Sequence, residues 1–297
     1  MIHKESLFLG HDETPLYWQC WYPDQDPKAI IVFIHGFGDH SSRHVTLISH
    51  VVSQGYAVYS YDSRGNGQSP GKRGHIDSWD QYRSDLRTFI HDVVELHGPE
   101  LPLFLMGFSM GGLTALEYIL HYPENFDGVI AASAPLGNVG VSPILMKIGR
   151  VMNCIMPSFT MDMGIDRKWI CRDYSVVETH MSDRLNHGRA SARLGVEFEH
   201  AIEWTQARAA ELAVPLLVLH GSQNKIADPR GSREFYNNVL ISDKQYILYD
   251  GAYHELDDEL CKDEVLRDLT DWMNRHLDTG AIIKERVDAC LAEQLTD

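Results

Sequence analysis

The sequence predicts an α/β protein: a doubly wound, mostly parallel central sheet flanked by helices and interrupted by one long helical insertion. Three observations lead there. Short β-rich apolar runs recur at residues 29–34, 56–60, 103–106, 129–133, 216–220 and 246–249, and they are continuous rather than alternating, as strands covered on both faces require. Helical patterns separate most of these runs, and βα alternation implies parallel strands joined by right-handed crossovers. The third observation is a break in that rhythm between about Pro135 and Ala213.

Taken in chain order, residues 6–9 and 16–22 read as an antiparallel strand pair joined around residues 10–15, ahead of the parallel part. The clearest helix spans 79–96, with Trp79, Tyr82, Leu86, Phe89, Ile90, Val93 and Val94 on one stripe and Ser78 and Gln81 at capping-box spacing. It is expected to cover one sheet face. Between 135 and 213 there is no strand-like run, and Pro143, Pro157 and Gly164 punctuate helical pieces. Structureless loops of that length are rare in compact domains, so the segment reads as a lid. This divides the chain into a core (1–134), an inserted helical cap (135–213) and a second core part (214–297). Residues 141–172 hold five of the ten methionines and carry five basic against two acidic residues. A flexible, apolar, locally basic surface suits a lid over a lipid-like substrate, although the same methionines would also serve to pack a lid onto the core. Residues 260–277 read as a helix after the last strand, and 282–297 as a short amphipathic one without assigned role.

Composition narrows the chemistry. With 297 residues, 44% of them hydrophobic, the chain can bury one large core. Its 26 Lys and Arg against 42 Asp and Glu give a net charge of −16, which opposes a phosphate-backbone partner. Nucleic acid is therefore not expected. Cys20, Cys154, Cys171, Cys261 and Cys290 are scattered, odd in number and without a CxxC pair, and they read as reduced thiols in a cytoplasmic protein. No stretch has the apolar core of a secretory signal or the ~20 apolar residues of a membrane span. An amphipathic surface can still touch a bilayer without crossing it.

Three motifs carry chemistry. Gly107, Phe108, Ser109, Met110 and Gly111 form GxSxG between a strand and a helical run, the context in which a sharp turn lifts a serine hydroxyl above a sheet. His35, Gly36, Phe37 and Gly38 follow the run 29–34, where the N–H of Phe37, with that of Met110, can form an oxyanion hole. His35 itself reads as structural. His254, in DGAYHE just past the last strand, is the expected general base, because a nucleophile–acid–base order puts the base late in the chain. The acid belongs after the run 216–220, in HGSQNKIADP, and Asn224 stands there. An amide cannot hold imidazole in the required tautomer or stabilise imidazolium. Asp228, one turn later, is the alternative acid, although an exposed loop acid or helix cap before Pro229 is the plainer reading. The turn-rich segment 61–69 is expected to brace the loop beneath the site.

Together these residues resemble the monoacylglycerol lipase and lysophospholipase family of the α/β-hydrolases. HGFGDHSSRH, YDSRGNGQSPGKRGHI, GFSMGG, CRDYSVVETHMSD, HGRASARLG, HGSQNKIADP and YDGAYHELDDE carry the likeness over nearly the whole chain. The resemblance implies an esterase without cofactor or metal, acting on monoacylglycerols under a mobile amphipathic cap with an acyl tunnel beneath it. It carries the nucleophile onto Ser109, the base onto His254, the oxyanion donors onto Phe37 and Met110, and the catalytic aspartate onto Asn224. That one departure puts activity, not fold, in question: a weakened enzyme, compensation by Asp228 and an introduced change all fit it. Expected partners are a small lipid ester and, through the cap, a membrane surface, with the chain a monomer or homodimer. A carboxylesterase or lysophospholipase for other esters, and a lipid-binding variant of low activity, are the alternatives.

Overall fold

A computed structural model of the protein describes residues 1–95 and 101–277. Its strands are β1 (Ile2–Leu9), β2 (Pro15–Tyr22), β3 (Ala29–Ile34), β4 (Tyr56–Tyr61), β5 (Leu103–Phe108), β6 (Gly128–Ala132), β7 (Thr160–Asp162), β8 (Arg189–Ser191), β9 (Leu216–Gly221) and β10 (Lys244–Tyr249). Eight of them form one sheet in the order β1-β2-β4-β3-β5-β6-β9-β10. The pairs β1–β2 and β2–β4 are antiparallel, and all other neighbours in that sheet are parallel. The helices are α1 (Val45–Ser53), α2 (Trp79–Phe89), α3 (Met110–His121), α4 (Pro143–Ile155), α5 (Tyr174–Ser182), α6 (Ala192–Ala207), α7 (Pro229–Asn238) and α8 over residues 262–277.

The continuous apolar runs have a direct structural cause. Alternate residues of each central strand point to opposite faces, and both faces are covered. Ile31, Phe33, Phe104, Met106 and Leu219 meet α1 and α8, while Ile30, Val32, Leu105, Val129 and Val218 meet α2 and α3. The parallel strands therefore end together at one edge of the sheet, and the loops that leave that edge carry the candidate residues.

Some expectations need correction. The antiparallel pair is longer than predicted, because β1 begins at Ile2, where exposed residues give no apolar signal. The α-helical part of the 79–96 segment ends at Phe89 and continues as a π-helical stretch, Ile90–Glu95; Leu96 lies outside the described residues. The capping box does not form: Ser78 makes no side-chain cap, and Gln81 accepts from the N–H of Asp77 at 2.9 Å. Glu197 of α6 accepts instead from the N–H of Trp79 at 3.0 Å, a tertiary carboxylate replacing the local cap. The insertion does contain strand, since β7 and β8 pair antiparallel through three residues each. Pairs so short and so far apart in sequence leave no run to read. The proposed 282–297 helix and Cys290 lie outside the described residues.

Trp272 on α8 is 1% exposed and packs against Phe104 and the Gly128 backbone position. Truncating a buried aromatic leaves a cavity that the covered sheet cannot fill. Trp272→Ala should cost about 3–5 kcal/mol in urea denaturation, with the m-value little changed.

Candidate active site

The turn between β5 and α3 places Ser109 at φ +53°, ψ −122°, in a region that L-residues avoid. The surroundings enforce it. Ser109 N–H donates to Ala132 O at 2.8 Å, and the flanking backbone is packed so closely that a Cβ on Gly107 would sit 2.0 Å from Gly111 O. The GxSxG spacing is thus a steric requirement of the turn. Its product is a hydroxyl at the head of a helix and at the edge of the sheet.

His254 arrives from the loop after β10, and its Nε2 lies 2.9 Å from Ser109 Oγ. Its backbone is fastened on both sides: His254 O accepts from Ser133 Oγ at 2.6 Å, and His254 N–H donates to Ile170 O at 3.1 Å. Phe108 packs against the imidazole. Phe37 and Met110, the expected oxyanion donors, line the same cavity as Ser109. That cavity has a volume of about 460 Å³, and Leu145, Met146, Met161, Met163 and Phe198 of the insertion give it an apolar wall.

The acid position is occupied by Asn224, whose environment determines its orientation. Its Oδ1 accepts from the N–H groups of Ile226 (3.0 Å) and Ala227 (2.9 Å). The amide stands edge-on to the imidazole, its NH₂ 2.9 Å and its Oδ1 3.2 Å from His254 Nδ1. A bond from the NH₂ to Nδ1, the shorter contact, puts the imidazole proton on Nε2, where the ring offers Ser109 no lone pair; a proton on Nδ1 would use the longer contact to Oδ1. A neutral amide therefore does not hold the ring in the one tautomer a carboxylate would select. His220 adds a second mismatch: Ser232 Oγ bonds its Nδ1 at 2.7 Å and its Nε2–H reaches Ala227 O at 2.9 Å, so another donor stands 3.2 Å from the Asn224 NH₂. Two backbone amides, His220 Nε2–H and the catalytic tautomer of His254 make four donors converging on one side chain. That set is complementary to a carboxylate's two oxygens and not to an amide.

Burial pushes the His254 pKa down to about 3, with His220 and Arg43 adding to the effect. Burial likewise pushes His220 down to about 4. Asp228 stands elsewhere. It caps α7, its Oδ1 accepting from Arg230 N–H at 2.9 Å, and its carboxylate pairs with the Arg230 guanidinium. Among the described residues it makes no hydrogen bond to His254.

His35 and the 61–69 segment are structural. His35 Nε2 accepts from Ser63 N–H at 3.0 Å, Asp62 accepts from Ser41 and Gln68, and Arg64 joins Asp85 to Asp12. Sequence reasoning missed a buried charge brace between the loops after β3 and β10. His44 sits between Asp39 and Asp257, at 2.9 Å from each, and Arg43 joins Asp39 to Glu255. Burial opposes the charge on His44, but Asp257 and Asp39 outweigh it and raise its pKa to about 9. His44, Asp257, Asp39, Arg43 and Glu255 thus form one buried ion network. The DHSSRH spacing in the loop after β3 was the available signal.

Residues 25–260 match the serine aminopeptidase S33 family. The chain is 32% identical over 277 residues to a monoacylglycerol lipase of Mycolicibacterium smegmatis, covering 92% of this chain and 98% of that protein. The solved monoacylglycerol lipase of Paleococcus ferrophilus superposes with a TM-score of 0.81 at 30% identity, over 88% of this chain and 99% of that one. A soluble variant of Saccharomyces cerevisiae monoglyceride lipase, solved with a substrate analogue, gives a TM-score of 0.84 at 24% identity over 93% and 96% of the two chains.

Two outcomes follow from the geometry. Asn224→Asp should raise turnover of p-nitrophenyl butyrate by about 10³- to 10⁴-fold, the scale set by the aspartate-to-asparagine change in trypsin, whereas Asp228→Ala, which removes the α7 cap, should lower stability by about 1 kcal/mol without that effect. Between pH 6.5, the ordinary histidine value, and about 3, unfolded His254 binds a proton that folded His254 does not. His254 therefore makes stability fall as pH drops through that window. Asn224→Asp should move the His254 titration upward, read by imidazole NMR, and narrow the window.

Proposed function

The chain belongs to the serine aminopeptidase S33 family and has the α/β-hydrolase fold, and we propose that it cleaves monoacylglycerols to fatty acid and glycerol through an acyl-enzyme on Ser109. The observation that carries this reading is the 2.9 Å contact between Ser109 Oγ and His254 Nε2 at a large apolar cavity. His254 takes the proton of Ser109, whose oxygen attacks the ester carbonyl. The N–H groups of Phe37 and Met110 hold the oxyanion, glycerol leaves with the proton from His254, and water then releases the fatty acid. No step requires a metal or a cofactor.

In this scheme Asn224 occupies the acid position, and residues 135–213 form the cap. With an uncharged amide beside His254 Nδ1, the chain is a slow hydrolase. That is the one alternative a specific observation favours.

Peripheral membrane contact fits the outer face of α4. Ile144, Ile148, Val151 and Ile155 recur at helical spacing and are exposed, while Leu145 and Met146 of the same helix line the cavity. A helix apolar on both sides suits a lipid surface above and an acyl chain below. Among the described residues no helix is long and apolar enough to cross a membrane. Cys20, Cys154, Cys171 and Cys261 are free, which suits a cytoplasmic setting.

Oleate release from 1-oleoylglycerol, measured for the chain as written beside Asn224→Asp and Ser109→Ala, tests the reading. Release should be slow, fast and absent in that order. Faster turnover of p-nitrophenyl acetate than of the oleoyl ester by Asn224→Asp would replace it with a short-chain carboxylesterase. Ile148→Glu should weaken flotation with phosphatidylcholine vesicles containing phosphatidylglycerol while leaving turnover of dissolved short-chain esters unchanged.

A further inference from the structure

We propose that His187, which lies in the inserted segment and outside the cavity, is a positioning residue for the oxyanion hole, so that seating of the cap completes the catalytic site. The proposal rests on the reading of Phe37 as an oxyanion donor. Phe37 belongs to the loop after β3, and its neighbour Gly38 adopts φ +64°. The insertion fits against that loop at backbone distance: a Cβ on Gly38 would stand 1.9 Å from His187 O. His187 N–H donates to Gly38 O at 2.9 Å, which fixes the Gly38–Asp39 peptide, two peptide units beyond the one that carries the Phe37 N–H.

The imidazole of His187 extends the hold. Its edge meets the Phe37 ring with centroids 5.8 Å apart. Its Nε2 lies 3.0 Å from Asn66 Oδ1 and 3.2 Å from Gly65 O, and its Nδ1 accepts from Arg189 N–H at 3.3 Å. Nε2–H is therefore the donor, and the ring ties the Phe37 loop to the braced segment after β4. Four residues earlier, Asp183 accepts from His40 Nε2 at 2.8 Å, a second fastening between the same two segments.

Position in the insertion separates this anchor from the apolar helix above. Residues 183–189 grip the oxyanion loop, and Ile170 O takes the N–H groups of both His254 and Glu255. One inserted segment thus fastens the donor on one side of Ser109 and the base on the other. A displaced donor is costly in turnover and cheap in substrate binding, because the oxyanion exists only in the transition state.

Two measurements on the full-length chain test the proposal. Hydrogen exchange of the peptide covering residues 35–41 is read in the chain as written, in His187→Ala and in His187→Gln. In the Asn224→Asp background, kcat and KM for p-nitrophenyl butyrate are read for the same two substitutions. His187→Ala should speed exchange in 35–41 by about tenfold and lower kcat by about ten- to a hundredfold with KM within about twofold. His187→Gln, which keeps a donor at the Nε2 position, should recover most of both. Unchanged exchange in 35–41 overturns the proposal whether or not the enzyme turns over, and so does equal damage by Ala and Gln spread over the whole chain. Failure of the ester hydrolase reading shows separately, as an inert Asn224→Asp parent.

Discussion

The backbone strain at Ser109 is the constraint from which the site follows. A serine at φ +53° persists only because β5 leads straight into α3 and because Gly107 and Gly111 allow the two elements to touch. Every other candidate group is arranged around the hydroxyl that this turn exposes. The parallel strands end at the same edge, so Phe37 after β3, Asn224 after β9 and His254 after β10 arrive there without any long-range search. Function in such a sheet concentrates in loops that a rigid, doubly covered scaffold aims.

Asn224 shows how a site can be architecturally complete and chemically out of phase. Two backbone amides and two histidines turn toward it. A carboxylate would satisfy all of them and select the productive tautomer of His254. The amide satisfies the two backbone groups and sets both its NH₂ and its oxygen within reach of His254 Nδ1. The fold does not register this change, because the amide occupies the same space and keeps the loop 224–227 in place. What is lost is the negative charge that would hold the His254 proton on Nδ1.

The inserted segment has two different surfaces for two different tasks. Its α4 region is apolar toward both cavity and solvent, while residues 170–172 and 183–189 are bound to the core by directional hydrogen bonds. The first surface presents apolar side chains, and the second fixes geometry. This division explains why the motifs CRDYSVVETHMSD and HGRASARLG stand out in the sequence although few of their residues reach the cavity. Their role is contact with the loops that hold Phe37 and His254.

The amino-acid sequence by itself determined the sheet and its helical cover, and it singled out Ser109 and His254, which the fold brings to 2.9 Å of each other. Continuous apolar runs, a helical stripe from Trp79 to Phe89 and the strand–GxSxG–helix context are local patterns, and local patterns survive reading in one dimension. It also placed Asn224 where an acid is expected. What only the tertiary structure decided were relations between distant segments. Glu197 caps α2 in place of Ser78, β7 finds β8, His44 bridges Asp39 and Asp257, and His187 reaches Gly38 across 149 positions of chain. Each depends on one hydrogen bond or ion pair rather than on a repeated pattern, and a single pairing leaves no periodicity in the sequence. The setting of His254 is of the same kind: the residue types were legible, but that the Asn224 NH₂ stands nearer its Nδ1 than the amide oxygen does follows from which atoms of Asn224 the folded loop had already engaged.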